Sequence, residues 1–384
     1  MSATRPTAAS HDKAADPPAR PARRRALRRA ALAAAGIAGA PAVYAARPIL
    51  MRLQSAWPAR DVFHEYARDF AAKVELLSGG RLRFEVLPAG AVVKAFDLLD
   101  AVSRGVLDAA HATLAYWTAK NSALGLWSSG PAFGMDANTV LAWHEHGGGK
   151  ALLAEIYKGL DLDVVSFLYG PMPTQPLGWF KKPVRSLEDL KNLRFRTVGL
   201  AVELFTELGM RVTSLPPAEV VTALDRGQLD AAEYNNATSD RALGFPEVTR
   251  YCMLKSFHQS SEQFEVLVNR TRFERLPREL QIVLREATRA CSAEMSWKAL
   301  DRYSKDYEAM REAGVQFLPT PTDILEAQLK AWNRIVARRS AHNPMFARVA
   351  TSMESFARRV CRWQFDTSID YAMAFQATAG RPRS

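Results

Sequence analysis

"DRGQLDAAEY" at residues 225–234 and "SRGVLDAAHA" at 103–112 decide the fold. They match at Arg226/Arg104, Gly227/Gly105, Leu229/Leu107, Asp230/Asp108, Ala231/Ala109 and Ala232/Ala110, always 122 positions apart. Ahead of each runs a helical pattern, "PAEVVTALD" or "AFDLLDAVS". It reaches a Gly suited to the left-handed position just past a helix end, and a short strand follows. Upstream, "LRFEV" (82–86) and "LRFRT" (193–197) also correspond, so each copy reads strand, helix, strand. Alternating β and α elements imply helices flanking a mostly parallel sheet, and two such copies imply two similar α/β lobes.

In open α/β sheets, ligands sit outside the carboxyl ends of the strands. In the first copy the second strand ends near His111, Thr113 and Tyr116, with Trp117 next; in the second it ends at Glu233, Tyr234, Asn235 and Asn236. The strand over Leu193–Val198 puts Leu193, Phe195 and Thr197 on one face and Arg194 and Arg196 on the other. Arg196 lies nearer its carboxyl end, beside the crevice. A guanidinium is a planar fork of donors that matches a carboxylate and stays charged, so a carboxylate ligand is its natural partner. Glu233 would repel that ligand unless a positive charge lies between them, and a hard cation would supply it.

Composition narrows the class. Residues 20–46, "RPARRRALRRAALAAAGIAGAPAVYAA", give a basic stretch, a short apolar run and small residues suited to signal-peptidase cleavage. The arginines from Arg23 resemble the twin-arginine export pattern. The first 45 residues hold eight Lys or Arg against two Asp, so +5 of the formal +11 remains on the rest. That charge is too small and too evenly spread to argue for nucleic acid. Cys252, Cys291 and Cys361 lack metal-like spacing and are expected to be buried free thiols. "WHEHGGGK" (143–150) lacks the i, i+4 histidines of a helical zinc site, and its "GGGK" lacks the spacing of a phosphate loop. His144, Glu145 and His146 therefore read as surface. No G-x-S-x-G elbow occurs. The chain reads as a binder and not an enzyme.

Four longer stretches, "SGGRLRFEVLPAGAVVKAFDLLDAVSRGVLDAAHA", "PLGWFKKPVRSLEDLKNLRFRTVG", "RGQLDAAEYNN" and "EQFEVLVNRTRFERLP", together resemble the solute-binding proteins of TRAP (tripartite ATP-independent periplasmic) transporters. "YWTAKNSALGLWSSGPAFGM" and "AWHEHGGG" are similar to the branch associated with α-keto acids and related small carboxylates. The resemblance implies a two-lobed periplasmic-binding-protein-like α/β fold, each lobe a mixed sheet flanked by helices. It implies a periplasmic protein that closes on a 2-oxo or 2-hydroxy monocarboxylate and delivers it to a membrane permease. A sensory receptor feeding a kinase would share the fold. By position, the resemblance makes Arg196 the carboxylate clamp with Gln175 and Glu233 beside the ligand, and the strand-end residues Tyr116, Trp117 and Asn235 complete the expected ligand set. A cation, sodium or calcium, is held by Gln175, Glu233, Tyr234 and Gln259. Two positions depart from the branch: Tyr234 stands where Trp is usual, which a backbone-oxygen contact would tolerate, and Gln259 stands where a second acid is usual.

The expected organisation is an export signal over 1–46, lobe I from 47–171 plus about 235–268, lobe II from 172–234 plus about 269–330, and a helical segment over 331–384. "PLGWF" and "FEVLV" are the expected crossings between lobes. Apolar spacing from Pro277 predicts a helix ending at Gly314 and another capped by Thr322 or Asp323, bracing the lobes from behind. From Pro344 the chain is basic on one side (Arg348, Arg358, Arg359, Arg362) and apolar on the other (Phe346, Met353, Phe356, Trp363). It packs either on its own chain or on a second copy as a homodimer.

Overall fold

The computed structural model describes residues 47–378. The export signal expected over 1–46 lies outside the described residues. Among the described residues, eleven strands form two sheets. They are β1 (Ile49–Ser55), β2 (Leu82–Leu87), β3 (Ala109–Thr113), β4 (Val164–Met172), β5 (Gly178–Phe180), β6 (Arg194–Arg196), β7 (Arg211–Thr213), β8 (Ala231–Ala232), β9 (Tyr251–Leu254), β10 (Glu262–Asn269) and β11 (Gln316–Pro319). The first sheet runs β2-β1-β3-β10-β4 and the second β11-β9-β5-β8-β6-β7. Both are mixed. β10 is antiparallel to β3 and β4, and β5 is antiparallel to β8 and β9, while the remaining pairs are parallel. Every residue of β10 is buried, as its central place between two strands requires.

The repeat is structural, with one correction. Helix α1 (Val62–Leu77) is capped by Asp61, whose Oδ1 accepts from Phe63 N at 3.0 Å. Helices α2 (Leu98–Ser103) and α3 (Pro217–Asp225) both run out into glycines at positive φ, Gly105 at 72° and Gly227 at 68°. Asp108 then accepts from Arg52 N on β1 at 2.8 Å, and Asp230 from Arg194 N on β6 at 2.9 Å. The counterpart of "LRFRT" is therefore β1 and not "LRFEV". β1 pairs with β3 as β6 pairs with β8, and β2 matches the outer strand β7. Short-range similarity of letters misled here because strand partnership is fixed by non-local pairing.

The chain crosses between sheets in 173–177, from β4 to β5, and in 255–261, from β9 to β10. Gln175 N donates to Gln259 O at 3.3 Å, so the two crossings touch. The segment 235–268 assigned to one lobe is thus divided, with β9 in the second sheet and β10 in the first. Helix α4 (Arg278–Glu312) packs against β4 and α1 on one side and the Ala237–Leu243 helix on the other, bracing both sheets. The boundary expected at 331 falls inside a single helix, α5 (Thr322–His342), whose N-cap is Pro321 and not Thr322 or Asp323. Helix α6 (Pro344–Thr367) lays Phe346, Val349, Met353, Ala357 and Cys361 on its own chain. Beyond them Trp363, Phe365, Ile369 and, in α7 (Tyr371–Thr378), Tyr371, Met373 and Phe375 are exposed. Cys252, Cys291 and Cys361 are free and buried. Among the described residues no helix is long and apolar enough to cross a membrane.

Candidate functional site

β6 explains why its two arginines differ. Arg194, at the start, stays half-exposed and pairs with Asp230, its Nη2 2.6 Å from Oδ1. Arg196, two residues on, is 1% exposed because it points between the sheets. Its Nε donates to Leu215 O at 2.9 Å, and its Nη1 donates to Glu233 O and Glu233 Oε1, both at 3.0 Å. Its Nη2 donates to no group among the described residues, which leaves one edge of the fork for another acceptor.

Arg196 lines a chamber of about 20 Å³, on a measure in which one water needs roughly 10–15 Å³. One wall is aromatic, formed by Trp57, Phe63, Tyr116 and Phe264; the other is polar, formed by Arg196, Asn235, Gln175, Gln259 and Glu262. Tyr116 and Val198 also line an outer groove of about 570 Å³ and so stand between the two spaces. A cavity of about 350 Å³ around Lys181, Lys182 and Asp189 is larger than the chamber but lacks a buried charge.

The predicted residues separate into those the fold brings together and those it does not. Arg196, Gln175, Tyr116, Asn235, Tyr234 and Gln259 meet at the chamber, and Glu233 backs it through Arg196. Trp117 does not reach it. Its Nε1 donates to Glu265 Oε1 at 2.6 Å, a carboxylate that also accepts from Tyr157 and Ser166 in the core of the first lobe. His144, expected at the surface, is buried, and its Nδ1 accepts from Trp127 Nε1 at 3.2 Å. Tyr234 turns its hydroxyl to Asp61, the cap of α1, and Ser239 Oγ donates to the same carboxylate at 2.7 Å. These bonds tie the second sheet's strand ends to the first sheet's leading helix.

Glu262 was missed from the sequence. It is 4% exposed, with Oε1 accepting from Thr113 Oγ1 at 2.9 Å and Oε2 accepting from Gln175 Nε2 at 2.7 Å and Asn235 Nδ2 at 3.1 Å. The signal available was an acid at the head of the strand-like stretch "EQFEVLVN", directly after the segment that holds Gln259. Trp57, Phe63 and Phe264 also line the chamber.

Burial dominates the charges. Desolvation raises Glu233 to about 7 even though Arg196 opposes it, and raises Glu262 to about 7, with Glu233 adding repulsion. Among the described residues, Glu233 Oε2, Gln175 Oε1 and Gln259 Oε1 accept no hydrogen bond. The Thr197 hydroxyl is near enough to lower the Glu233 pKa yet lies beyond bonding distance. No three His, Cys, Asp or Glu side chains cluster as a metal group among the described residues, but amide oxygens also serve as ligands to hard cations, without the charge of a carboxylate.

The model of bacterial extracellular solute-binding protein family 7, the DctP family, matches residues 53–342. The chain belongs to this family. It is a family of extracellular solute-binding receptors of TRAP transporters. The family 7 chain is 30% identical over 324 residues to a monocarboxylate 2-oxoacid-binding periplasmic protein of Nostoc sp., covering 83% of this chain and 87% of that one. A TRAP periplasmic solute-binding protein of Colwellia psychrerythraea, solved with bound calcium and pyruvate, superposes with a TM-score of 0.80 at 27% identity, covering 86% of this chain and 100% of that one. One from Bordetella bronchiseptica, a dimer with calcium and picolinate in one active site, gives 0.81 at 26% identity, covering 87% and 98%.

Proposed function

We propose that this family 7 protein captures a short 2-oxo or 2-hydroxy monocarboxylate in the periplasm by closing its two lobes, and hands it to a TRAP membrane permease. The observation that carries this reading is Arg196, buried at a strand end with one donor edge left over and lining a small chamber. A monocarboxylate fits that edge, and the tight chamber behind Tyr116 favours a short tail. The protein performs no chemistry on the ligand; closure itself distinguishes the loaded form, since a ligand held by both walls stabilises the closed arrangement. Asp61, gripped by Tyr234 and Ser239, adds a direct bond across the lobes when they are shut.

The residues also suit a cation beside the ligand, the role assigned to Gln175, Glu233, Tyr234 and Gln259. Three of these side chains offer an acceptor oxygen that no protein group uses. A cation there would neutralise the repulsion between buried acids and an anionic ligand. The exposed apolar tail from Trp363 to Phe375 suits a second copy of the chain, and the Bordetella relative is itself a dimer. No observation on the molecule favours the kinase-linked receptor that would share this fold.

Calorimetric titration of the mature protein with pyruvate, lactate and longer 2-oxo acids, with and without calcium, tests the reading. Binding of a short acid without chemical change supports it, and failure of every monocarboxylate under every cation condition overturns it.

A further inference from the structure

We propose that Glu262 supplies the second carboxylate of the cation-and-ligand site, the part that position 259 cannot play as a glutamine; the inference rests on the proposed function. Glu262 begins β10 immediately after the crossing 255–261, and through Gln175 it is bonded to the other crossing. It is buried, and each of its hydrogen-bond partners, Thr113, Gln175 and Asn235, is neutral. A buried carboxylate with only neutral donors is a costly arrangement unless a positive group completes it.

The neighbouring amides are oriented for that group. Gln175 Nε2 donates to Glu262 and Gln259 Nε2 donates to Ser128 O at 3.1 Å, so turning either amide over would set oxygen against oxygen. Their Oε1 atoms are therefore the ends left free, both buried and both on chamber residues. Gln259 keeps an oxygen donor but no charge, and Glu262 returns the charge from a different position on the same crossing.

Charge balance then selects the ion. Arg196 and Glu233 cancel as a pair. Once a cation displaces the proton that burial favours on Glu262, that carboxylate and a monocarboxylate ligand together carry two negative charges, which a divalent ion balances and a monovalent ion does not. The site should therefore take calcium in preference to sodium.

The test is titration of calcium alone, then pyruvate, into chelator-treated mature protein and its variants. Glu262→Gln should weaken calcium at least tenfold, and adding Gln259→Glu to it should recover most of the loss by returning an acid to the crossing. Should Glu262→Gln fail to fold, Glu262→Asp, which keeps the charge but withdraws it, must weaken calcium while melting near wild type. Calcium affinity within twofold of wild type in Glu262→Gln, sodium bound as tightly as calcium, or pyruvate binding indifferent to cation would overturn the inference and leave the carboxylate receptor standing. Loss of all carboxylate binding by the wild type would instead sink the proposed function.

Discussion

His111 and Glu233 occupy the same position in the two copies of the repeat, three residues after Asp108 and Asp230. The backbone frame around them is shared, down to the aspartate that accepts from the first strand's N–H. Their surroundings are opposite. His111 lies among the rings of Trp57, Tyr169 and Phe264, and neither ring nitrogen has a partner among the described residues. Glu233 lies on Arg196. One frame thus sets a ring cluster that includes Trp57 and Phe264 of the chamber's lining, and an ion pair that includes its Arg196.

Burial holds both groups toward neutrality, His111 down to about 3 and Glu233 up to about 7. The cost of that burial is compensated differently. The aromatic cage stabilises a neutral ring by packing alone, whereas the second wall keeps a guanidinium ready for a ligand.

The comparison breaks most severely at Arg196. Arg196→Ala removes the ligand's clamp and strands Glu233, and loss of one partner of a buried pair costs about 3–5 kcal/mol. Calorimetry should show carboxylate binding reduced at least about 100-fold, with a lower melting temperature. Retained affinity would mean that the ligand meets another group.

On the apolar wall, the effect depends on pH. The folded pKa of His111 is depressed below its unfolded value, so its contribution to stability is present above about pH 6.5 and is lost as pH falls toward 3. His111→Leu cannot charge and should outlast wild type in acid, by roughly 2–4 kcal/mol near pH 4, while the two melt alike at pH 7.5. Parallel melting curves across that range would show that His111 finds a proton partner in the folded state.

Between the walls, Tyr234→Phe deletes a donor to Asp61, and a lost bond to a buried charged group is worth about 1.5–3 kcal/mol. Ligand affinity should fall about tenfold with the ligand preference unchanged, and scattering should show a more open unliganded form. Tyr116→Ala joins the chamber to the outer groove and should improve binding of longer 2-oxo acids relative to pyruvate by about tenfold, the scale of one or two methylenes in an apolar pocket. The smallest effect belongs to Arg194→Ala. Its pair with Asp230 is half-exposed, so stability should move by less than about 1 kcal/mol and binding not at all. A large effect there would erase the distinction drawn within β6.

Much of this was legible in the chain before folding. The repeat predicted two α/β lobes, the glycines marked the helix ends, and Arg196, Gln175, Tyr116, Asn235, Tyr234 and Gln259 do converge. These signals are local. A glycine at positive φ, an arginine at a strand end and an acid after a strand each carry their meaning within a few residues.

What local pattern could not supply was partnership across the chain. Trp117 follows a strand end as the site residues do, yet Glu265, 148 positions away, draws its N–H into the core. His144 looked like surface until Trp127 and the helix packing around it buried the ring. β1 became the true counterpart of β6 through its pairing with β3, and the divided segment 235–268 followed from β9 joining the second sheet. Glu262 shows the limit most plainly. In the sequence it is one acid among forty; the two crossings, brought together by both sheets, enclose it with Thr113, Gln175 and Asn235. The sequence alone determined which residue types stand at the strand ends, because those follow from short-range periodicity. The tertiary structure alone decided which buried charges face one another, because desolvation and pairing depend on contacts between residues far apart in the chain.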